Sequence, residues 1–210
     1  EPAELKYYRF MEYDWNGVPL IISRTGWSSE LGYEIFLRDG SKGDALWEHL
    51  MAVGGPMGLH PGHTSSIRRI EAAMLSYHAD MTLENNPFEL GMDRLVDLDM
   101  AADFVSKAAL KRIKAAGVSQ YQVGITIDGP PITGSNDENW PVLSNDTIVG
   151  KITSAVHSPR LGKNIALALV AADHAATGTM VSIDMAGDLR QAEIVPKPFF
   201  DPKKTLAAKG

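Results

Sequence analysis

The C-terminal half of the sequence carries six short, strand-like runs in close succession. They are rich in β-branched and aromatic residues, and turns containing Gly, Pro, Asn and Asp separate them: 121–128, 140–143, 148–156, 164–170, 180–185 and 189–195. Short strands at this density present many open edges, and closing a sheet on itself hides those edges. The sequence therefore predicts a closed barrel or a sandwich over residues 118–210, with a frayed tail after Pro202.

The N-terminal part begins with the pattern of a β-hairpin. Two β-prone runs, 6–13 and 18–24, flank the pair Asn16 and Gly17, which readily takes the positive φ angles of a tight turn. A third run, 32–38, alternates in side-chain direction and predicts another strand. In this strand Glu34 and Phe36 face the same side.

Helical patterns follow the three strands. Apolar residues at helical spacing predict helices over 42–53 and 64–77. Ser106 is placed to cap a third helix, which runs through Ala116 to a terminal Gly117. Together these patterns predict an α+β protein, in which a mixed α/β region over 1–117 precedes an all-β domain over 118–210.

The composition excludes several classes of protein. The 210 residues contain no cysteine, so disulfides, cysteine nucleophiles, thiolate zinc sites and cysteine-ligated iron–sulfur clusters are ruled out. The net charge of -6 leaves no basic surplus for nucleic acid. The longest apolar run, 165–172, is far shorter than the roughly 20 residues that cross a bilayer. We therefore expect a soluble, cytoplasmic protein with no nucleic-acid or membrane partner.

No common cofactor or metal fingerprint occurs in the sequence. There is neither a Walker phosphate loop nor a Gly-x-Gly-x-x-Gly stretch after a strand. His60 and His63 are three residues apart, but Pro61 and Gly62 between them form a bend, and no carboxylate stands nearby at ligand spacing. The sequence therefore predicts no metal site.

One stretch, a strand followed by a glycine-bounded loop and a second strand, carries a distinctive order of residues. Residues 23–35 read Ser-Arg-Thr-Gly-Trp-Ser-Ser-Glu-Leu-Gly-Tyr-Glu-Ile. This order resembles the motif of the glycine-cleavage T-protein (aminomethyltransferase) family, a family that uses tetrahydrofolate. Further matches follow in the family's order at 58–59, 69–72, 75–81, 86–91, 104–110, 150–154 and 158–168. The resemblance implies the C-terminal portion of a longer protein, with the later part of the folate-binding lobes over 1–117 and the terminal β-barrel over 118–210.

Variant residues within the motifs indicate a branch of the family. The run Trp27-Ser28-Ser29-Glu30 replaces the family's aromatic-Thr-Gly-Glu, and its Ala-Arg-Asp falls on 64–66, which lack the arginine. Residues 75–77 and 84–89 resemble the dimethylsulfoniopropionate demethylase branch, which implies methyl transfer from a sulfonium to tetrahydrofolate. Aminomethyl transfer, with a lipoyl carrier protein as partner, stays open as an alternative. A non-catalytic folate-binding or interaction module is a third reading.

The resemblance also implies site residues. Glu34 matches the motif glutamate, whose carboxylate can accept the amino and ring N–H donors of a pterin in parallel. Trp27 would form an apolar wall beside the folate ring, and Arg24 would bind the folate glutamate tail. Asn85 and Asn86 would contact the methyl donor. The family's catalytic acidic residue would precede Glu1, so the catalytic residue is unknown.

Each of these assignments has a purely structural alternative. Glu34 could be a solvent-facing strand residue, Trp27 a core residue, and Arg24 part of a charge pair at a strand end. Asn85 and Asn86 could serve only local turn hydrogen bonds.

Overall fold

The computed structural model describes residues 1–62, 65–134, 136 and 138–209 of the chain. It contains two compact units: one comprises Glu1–Arg68 with the C-terminal segment from Lys203, and the other comprises Arg69–Pro202. Among the described residues, no helix combines the length and apolarity needed to cross a membrane. The predicted domain boundary between residues 117 and 118 stays a prediction.

The first unit is built on a three-stranded antiparallel sheet in the order β1-β2-β3. Strands β1 (Phe10–Trp15) and β2 (Val18–Ser23) form the predicted hairpin around Asn16 and Gly17, which both have positive φ angles. Strand β3 (Glu34–Leu37) pairs with β2 and is shorter than the predicted run. The sheet therefore arises from local turn chemistry and side-chain alternation.

The two faces of this sheet differ in how far their side chains are buried. Leu20 and Ile22 of β2 are buried on one face. Trp15 belongs to the same face, and its ring lies 5.6 Å from that of His49 in helix α1 (Gly43–Gly54). The opposite face carries Glu34 and leaves large apolar side chains in solvent, as described below.

The second unit contains a closed six-stranded antiparallel barrel. The strands are β4 (Gln120–Ile127), β5 (Trp140–Ser144), β6 (Thr147–Ser158), β7 (Lys163–Ala171), β8 (Met180–Met185) and β9 (Asp188–Val195). Their order is β4-β7-β6-β5-β8-β9, and β9 closes the barrel by pairing with β4. The strand density predicts a closed barrel or a sandwich, and the structure is a closed barrel, as the family resemblance implies.

Strand β7 separates two apolar clusters of the second unit. Ala166, Ala168 and Val170 point into the barrel core, where they meet side chains such as Ile125 and Ile183. The alternate residues Ile165 and Leu167 face outward and pack with Ile70. Because both faces of β7 are covered, its sequence is almost continuously apolar.

Two helix predictions differ from the structure. Helix α2 covers only Ser66–Glu71 rather than 64–77, because Ala73 takes a left-handed φ of 52° and its N–H bonds to Ile70 O. Helix α3 (Lys107–Ala116) ends at Gly117 as predicted. Its predicted cap is wrong, since Ser106 has a φ of 71° and its side chain makes no capping bond. Short 3-10 turns span Pro2–Glu4, Gly40–Lys42, Gly55–Met57, Asp93–Leu95 and Ala172–His174.

Candidate functional site

Glu34 lies at the first residue of β3 and is opposite Ser23, the last residue of β2. Its carboxylate is exposed, and its Oε2 accepts a hydrogen bond from the Thr25 hydroxyl. The Thr25 and Ser23 hydroxyl oxygens are 2.8 Å apart. Among the described residues, Oε1 of Glu34 has no hydrogen-bond partner. One carboxylate oxygen is thus held by the protein and the other is available to a ligand.

An exposed apolar surface lies beside this carboxylate. Phe10 is opposite Ser23 in the sheet, and Phe36 is opposite Ile21, so all four side chains share the face of Glu34. Phe10 is 67% exposed and Phe36 is 53% exposed. A carboxylate beside flat apolar groups suits a planar heteroaromatic ring with N–H donors along one edge.

Phe10 is the member of this face that no sequence motif marks. Its position could have been found by counting outward from the Asn16-Gly17 turn. Once the hairpin register pairs Trp15 with Val18, Phe10 must lie opposite Ser23. Register, rather than any motif, carries that information.

Trp27 lies in the loop that joins β2 to β3, and 44% of its surface is exposed. In the same loop Ser29 takes a left-handed φ of 57°, and the Glu30 carboxylate lies 3.1 Å from the Arg68 guanidinium. The loop is thus fixed by a backbone turn and an ion pair. The half-exposed indole is open to solvent, and its contact with a folate ring stays a prediction.

Arg24 is 1% exposed and is bound by the C-terminal segment. Its guanidinium donates to Ala207 O at 3.3 Å and to Lys209 O, and it lies 5.3 Å from the centre of the Tyr33 ring. The predicted fraying of the tail is therefore wrong, because Ala207 is itself buried at 1% exposure. The contact of Arg24 with a folate tail stays a prediction, and it would require this segment to release the guanidinium.

Asn85 and Asn86 belong to the second unit, where their amides serve a tight turn. Asn86 Oδ1 accepts the N–H groups of Phe88 and Glu89 at 3.0 and 3.2 Å. Asn85 Oδ1 accepts Thr82 N–H at 3.0 Å, and its amide nitrogen donates to Glu89 Oε2 at 3.3 Å. Asn85 also lines a cavity of 180 Å³. Contact of the two asparagines with a methyl donor stays a prediction.

A buried polar network in the second unit was not foreseen. Asp80 has no exposed surface, and its carboxylate accepts bonds from Arg69 at 2.8 Å, Thr153 at 2.7 Å and Ser154 at 2.6 Å. The sequence around Arg69 gives no sign of this network, since the partners Asp80 and Ser154 are 11 and 85 positions away. The network ties α2 and the following loop to β6.

A second cation, Lys197, is partly buried in the same unit. Burial lowers the pKa of Lys197 to about 8, although the negative charge of Asp80 acts in the opposite direction. The ammonium donates to the Oε1 atom of Gln122, a buried residue of β4. Lys197 thus carries a titratable charge at a position where burial penalises it.

The described residues contain no group of three or more His, Asp or Glu side chains that could hold a metal ion. His60 is exposed, and its Nδ1 atom lies 3.0 Å from Gly58 O. His63, three residues after His60, lies outside the described residues.

The fold of the chain is α+β, with a closed barrel in its C-terminal half. This fold is similar to the crystal structure of the glycine cleavage system aminomethyltransferase T from Bartonella henselae. The TM-score is 0.77, and the match covers 95% of this chain and 54% of that one. At 20% sequence identity this likeness shows the fold alone.

Two domains of one protein family match the chain. Residues 1–100 match the GCVT N-terminal domain, and residues 121–201 match the glycine cleavage T-protein C-terminal barrel domain. The chain belongs to the glycine-cleavage T-protein family.

Relatives within the family carry two different names. The chain is 32% identical over 193 residues to dimethylsulfoniopropionate demethylase DmdA of Ruegeria pomeroyi, covering 91% of this chain and 51% of that protein. It is 39% identical over 185 residues to an aminomethyltransferase of a Synechococcus species, covering 88% and 50%. An aminomethyltransferase of Moorella thermoacetica is 35% identical, with 96% and 55% covered. The chain thus spans about half the length of the curated relatives it matches.

Proposed function

We propose that this chain contributes the folate-binding surface and the terminal barrel of a tetrahydrofolate-dependent one-carbon transferase, which moves a methyl group from a sulfonium to folate. The observation that carries the proposal is the Glu34 carboxylate. Thr25 holds one of its oxygens, the other is available, and the apolar side chains of Phe10 and Phe36 share its face.

Glu34 would recognise the edge of the pterin ring. A pterin presents a 2-amino group and a ring N–H side by side, and both can donate to one carboxylate. Such charge-assisted bonds are short and stronger than neutral ones. Thr25 would keep the carboxylate turned toward the ring, while Trp27 would supply an apolar wall.

The transfer itself demands positioning more than acid catalysis. A folate nitrogen attacks the methyl carbon, the carbon–sulfur bond breaks, and the thioether leaves with the electron pair. The nitrogen then loses its proton. Because the thioether sulfur leaves uncharged, no acid is needed, and in-line placement of the reactants supplies most of the rate. Aromatic faces and a carboxylate would stabilise the sulfonium before attack.

The choice of a sulfonium donor rests on two observations. Residues 64–66 are Thr-Ser-Ser, where the family has an arginine in the middle position, and the relative from Ruegeria pomeroyi is a demethylase. Aminomethyl transfer with a lipoyl carrier is the second candidate, because several relatives at 34–39% identity are aminomethyltransferases.

Isothermal titration of the 210-residue chain with tetrahydrofolate tests the binding part of the proposal. We expect Glu34→Gln to weaken the affinity at least tenfold, because a charged carboxylate that accepts two hydrogen bonds becomes a neutral amide with a single acceptor oxygen. Glu48→Gln, which changes an exposed residue of α1, is the matched control and is expected to leave the affinity unchanged. A wild-type chain that binds no folate, or a Glu34→Gln variant with unchanged affinity, would contradict the proposal.

The donor is tested separately, in the full-length transferase that contains this chain and with folate present. Saturable binding of dimethylsulfoniopropionate, together with formation of methyl-folate, would support the sulfonium donor. Formation of methylene-folate with release of ammonia from an aminomethyl-lipoyl carrier would favour the aminomethyltransferase instead. Folate binding without either product would indicate a binding module.

A further inference from the structure

A cavity of 390 Å³ lies on the outer surface of the barrel, within the second unit. Strands β4 and β7 and the residues that follow β9 line it: Thr126, Leu161, Lys163, Ile165, Val195, Pro196 and Phe199. Cavities that bind small molecules have volumes of about 300–1,000 Å³ and are mostly apolar, and this cavity meets both conditions.

Phe199 forms one wall of this cavity. Its ring packs over Gly124 of β4, where an added Cβ atom would lie 3.0 Å from Phe199 Cζ. The next residue, Phe200, donates its N–H to Glu71 O at 3.0 Å, and its ring lies 4.2 Å from the Arg160 guanidinium. The segment after β9 is therefore anchored beside the cavity, with the Phe199 ring against the barrel wall.

The apolar part of the cavity continues an existing cluster. Ile165 is fully buried and packs with Ile70 and Leu167, while Leu161 and Phe199 cover the cluster from the side. Five of the seven lining residues are apolar. The floor of the cavity therefore favours an aliphatic or aromatic group.

Two polar groups stand on the same outer face. Thr126 is opposite Ile165 in the register of β4 and β7, and Lys163 precedes Ile165 by two residues on the same side of β7. Lys163 is exposed, and no carboxylate among the described residues lies within ion-pair distance of its ammonium. Glu193 of β9 is opposite Thr126 and shares its outer face, but it does not line the cavity.

We propose that this cavity binds a small amphiphilic carboxylate, with its apolar body against Ile165, Val195 and Phe199 and its carboxylate on the Lys163 ammonium and the Thr126 hydroxyl. An unpaired ammonium beside an apolar cavity complements a ligand with one negative charge at the end of an apolar chain or ring. This site is independent of the folate site proposed above, because none of its residues belongs to the first unit.

Isothermal titration of the 210-residue chain with octanoate tests the proposal, and octylammonium is the charge-reversed control ligand. We expect saturable binding of one octanoate per chain and no measurable binding of octylammonium. Lys163→Met, which keeps most of the side-chain stem, is expected to weaken octanoate binding at least tenfold. Thr126→Val is expected to weaken it a few-fold, and Lys114→Met on α3 is the matched control with no effect.

Three results would overturn the proposal. Octanoate that fails to saturate, or does not bind at millimolar concentration, would show that the cavity is not a site for this ligand class. Equal binding of octanoate and octylammonium would show that the apolar surface alone binds the octyl group of the ligand. An unchanged octanoate affinity in Lys163→Met would remove the cation from the site. Circular dichroism of Lys163→Met and Thr126→Val, which keep the local shape, confirms that the variants are folded.

Discussion

The Thr25 hydroxyl donates a hydrogen bond to the Glu34 carboxylate at the point where β2 and β3 end their pairing. The two residues are nine positions apart, and the loop that carries Trp27 lies between them. The bond therefore closes the loop and sets the direction of the carboxylate at the same time.

Removing this hydroxyl is expected to weaken folate binding without abolishing it. Thr25→Val keeps the shape of the side chain but leaves Oε2 of Glu34 without its donor. Loss of one orienting hydrogen bond predicts a three- to tenfold rise in the folate dissociation constant, corresponding to about 0.5–1.5 kcal/mol. Titration of Thr147→Val, an exposed residue of β6, supplies the control. Equal affinities of Thr25→Val and wild type would show that Thr25 does not orient the carboxylate.

The buried pair of Arg69 and Asp80 is expected to be essential for stability of the second unit. Asp80→Asn keeps the size of the side chain but removes the charge that compensates the guanidinium. Breaking one partner of a buried ion pair costs about 3–5 kcal/mol of unfolding free energy. Urea denaturation followed by circular dichroism measures this loss, with Asp99→Asn as an exposed control. A decrease in unfolding free energy of less than about 1 kcal/mol in Asp80→Asn would contradict this role of the ion pair.

The lysine with the depressed pKa predicts a distinct pH dependence. The pKa of Lys197 is about 8 in the folded chain and 10.5 for an unburied lysine. Between these pH values the unfolded state therefore binds more protons than the folded state. The free energy of unfolding therefore rises as the pH increases from 8 to 10.5. Below pH 8 the folded chain bears the full destabilisation from the partly buried charge. Denaturation curves of wild type and Lys197→Met at several pH values isolate the effect. The stability difference between them should shift in favour of wild type across this range, by on the order of 1–3 kcal/mol. A difference that is constant with pH would contradict the burial of the charge.

The C-terminal segment is expected to stabilise the first unit through Arg24. Deletion of residues 207–210 removes both carbonyl groups that accept from the guanidinium and leaves a buried charge without these partners. A buried donor that loses its acceptor costs about 1–3 kcal/mol. We expect a lower melting temperature and faster proteolysis of the first unit. Lys203→Ala, an exposed change in the same segment, is the control, and an unchanged melting temperature after the deletion would contradict this role.

Elements with local signals were predictable from the sequence. The barrel strands were found within a few residues because alternation and turn residues act between neighbours in the chain. The hairpin followed from Asn16 and Gly17 for the same reason. Helix α2 was overpredicted, since apolar spacing continues past Glu71 while Ala73 turns the backbone left-handed.

Long-range contacts were not predictable in this way. The guanidinium of Arg24 donates to the carbonyl of Ala207, 183 residues later. No sequence pattern near either residue predicts this hydrogen bond. The partners of Asp80 in β6 are likewise more than 70 residues away. Glu34 was singled out by its motif, but the apolar face around it required the register of three strands.

The most direct test of the proposed pterin contact combines a change in the protein with a change in the ligand. Tetrahydrofolate and its analogue lacking the 2-amino group are titrated into wild type and Glu34→Gln. If the carboxylate accepts the 2-amino group, the analogue binds wild type at least tenfold more weakly than tetrahydrofolate, and this loss is smaller in Glu34→Gln, whose amide oxygen accepts the bond without the charge. The same loss of affinity for the analogue in both proteins would contradict the contact between Glu34 and the pterin.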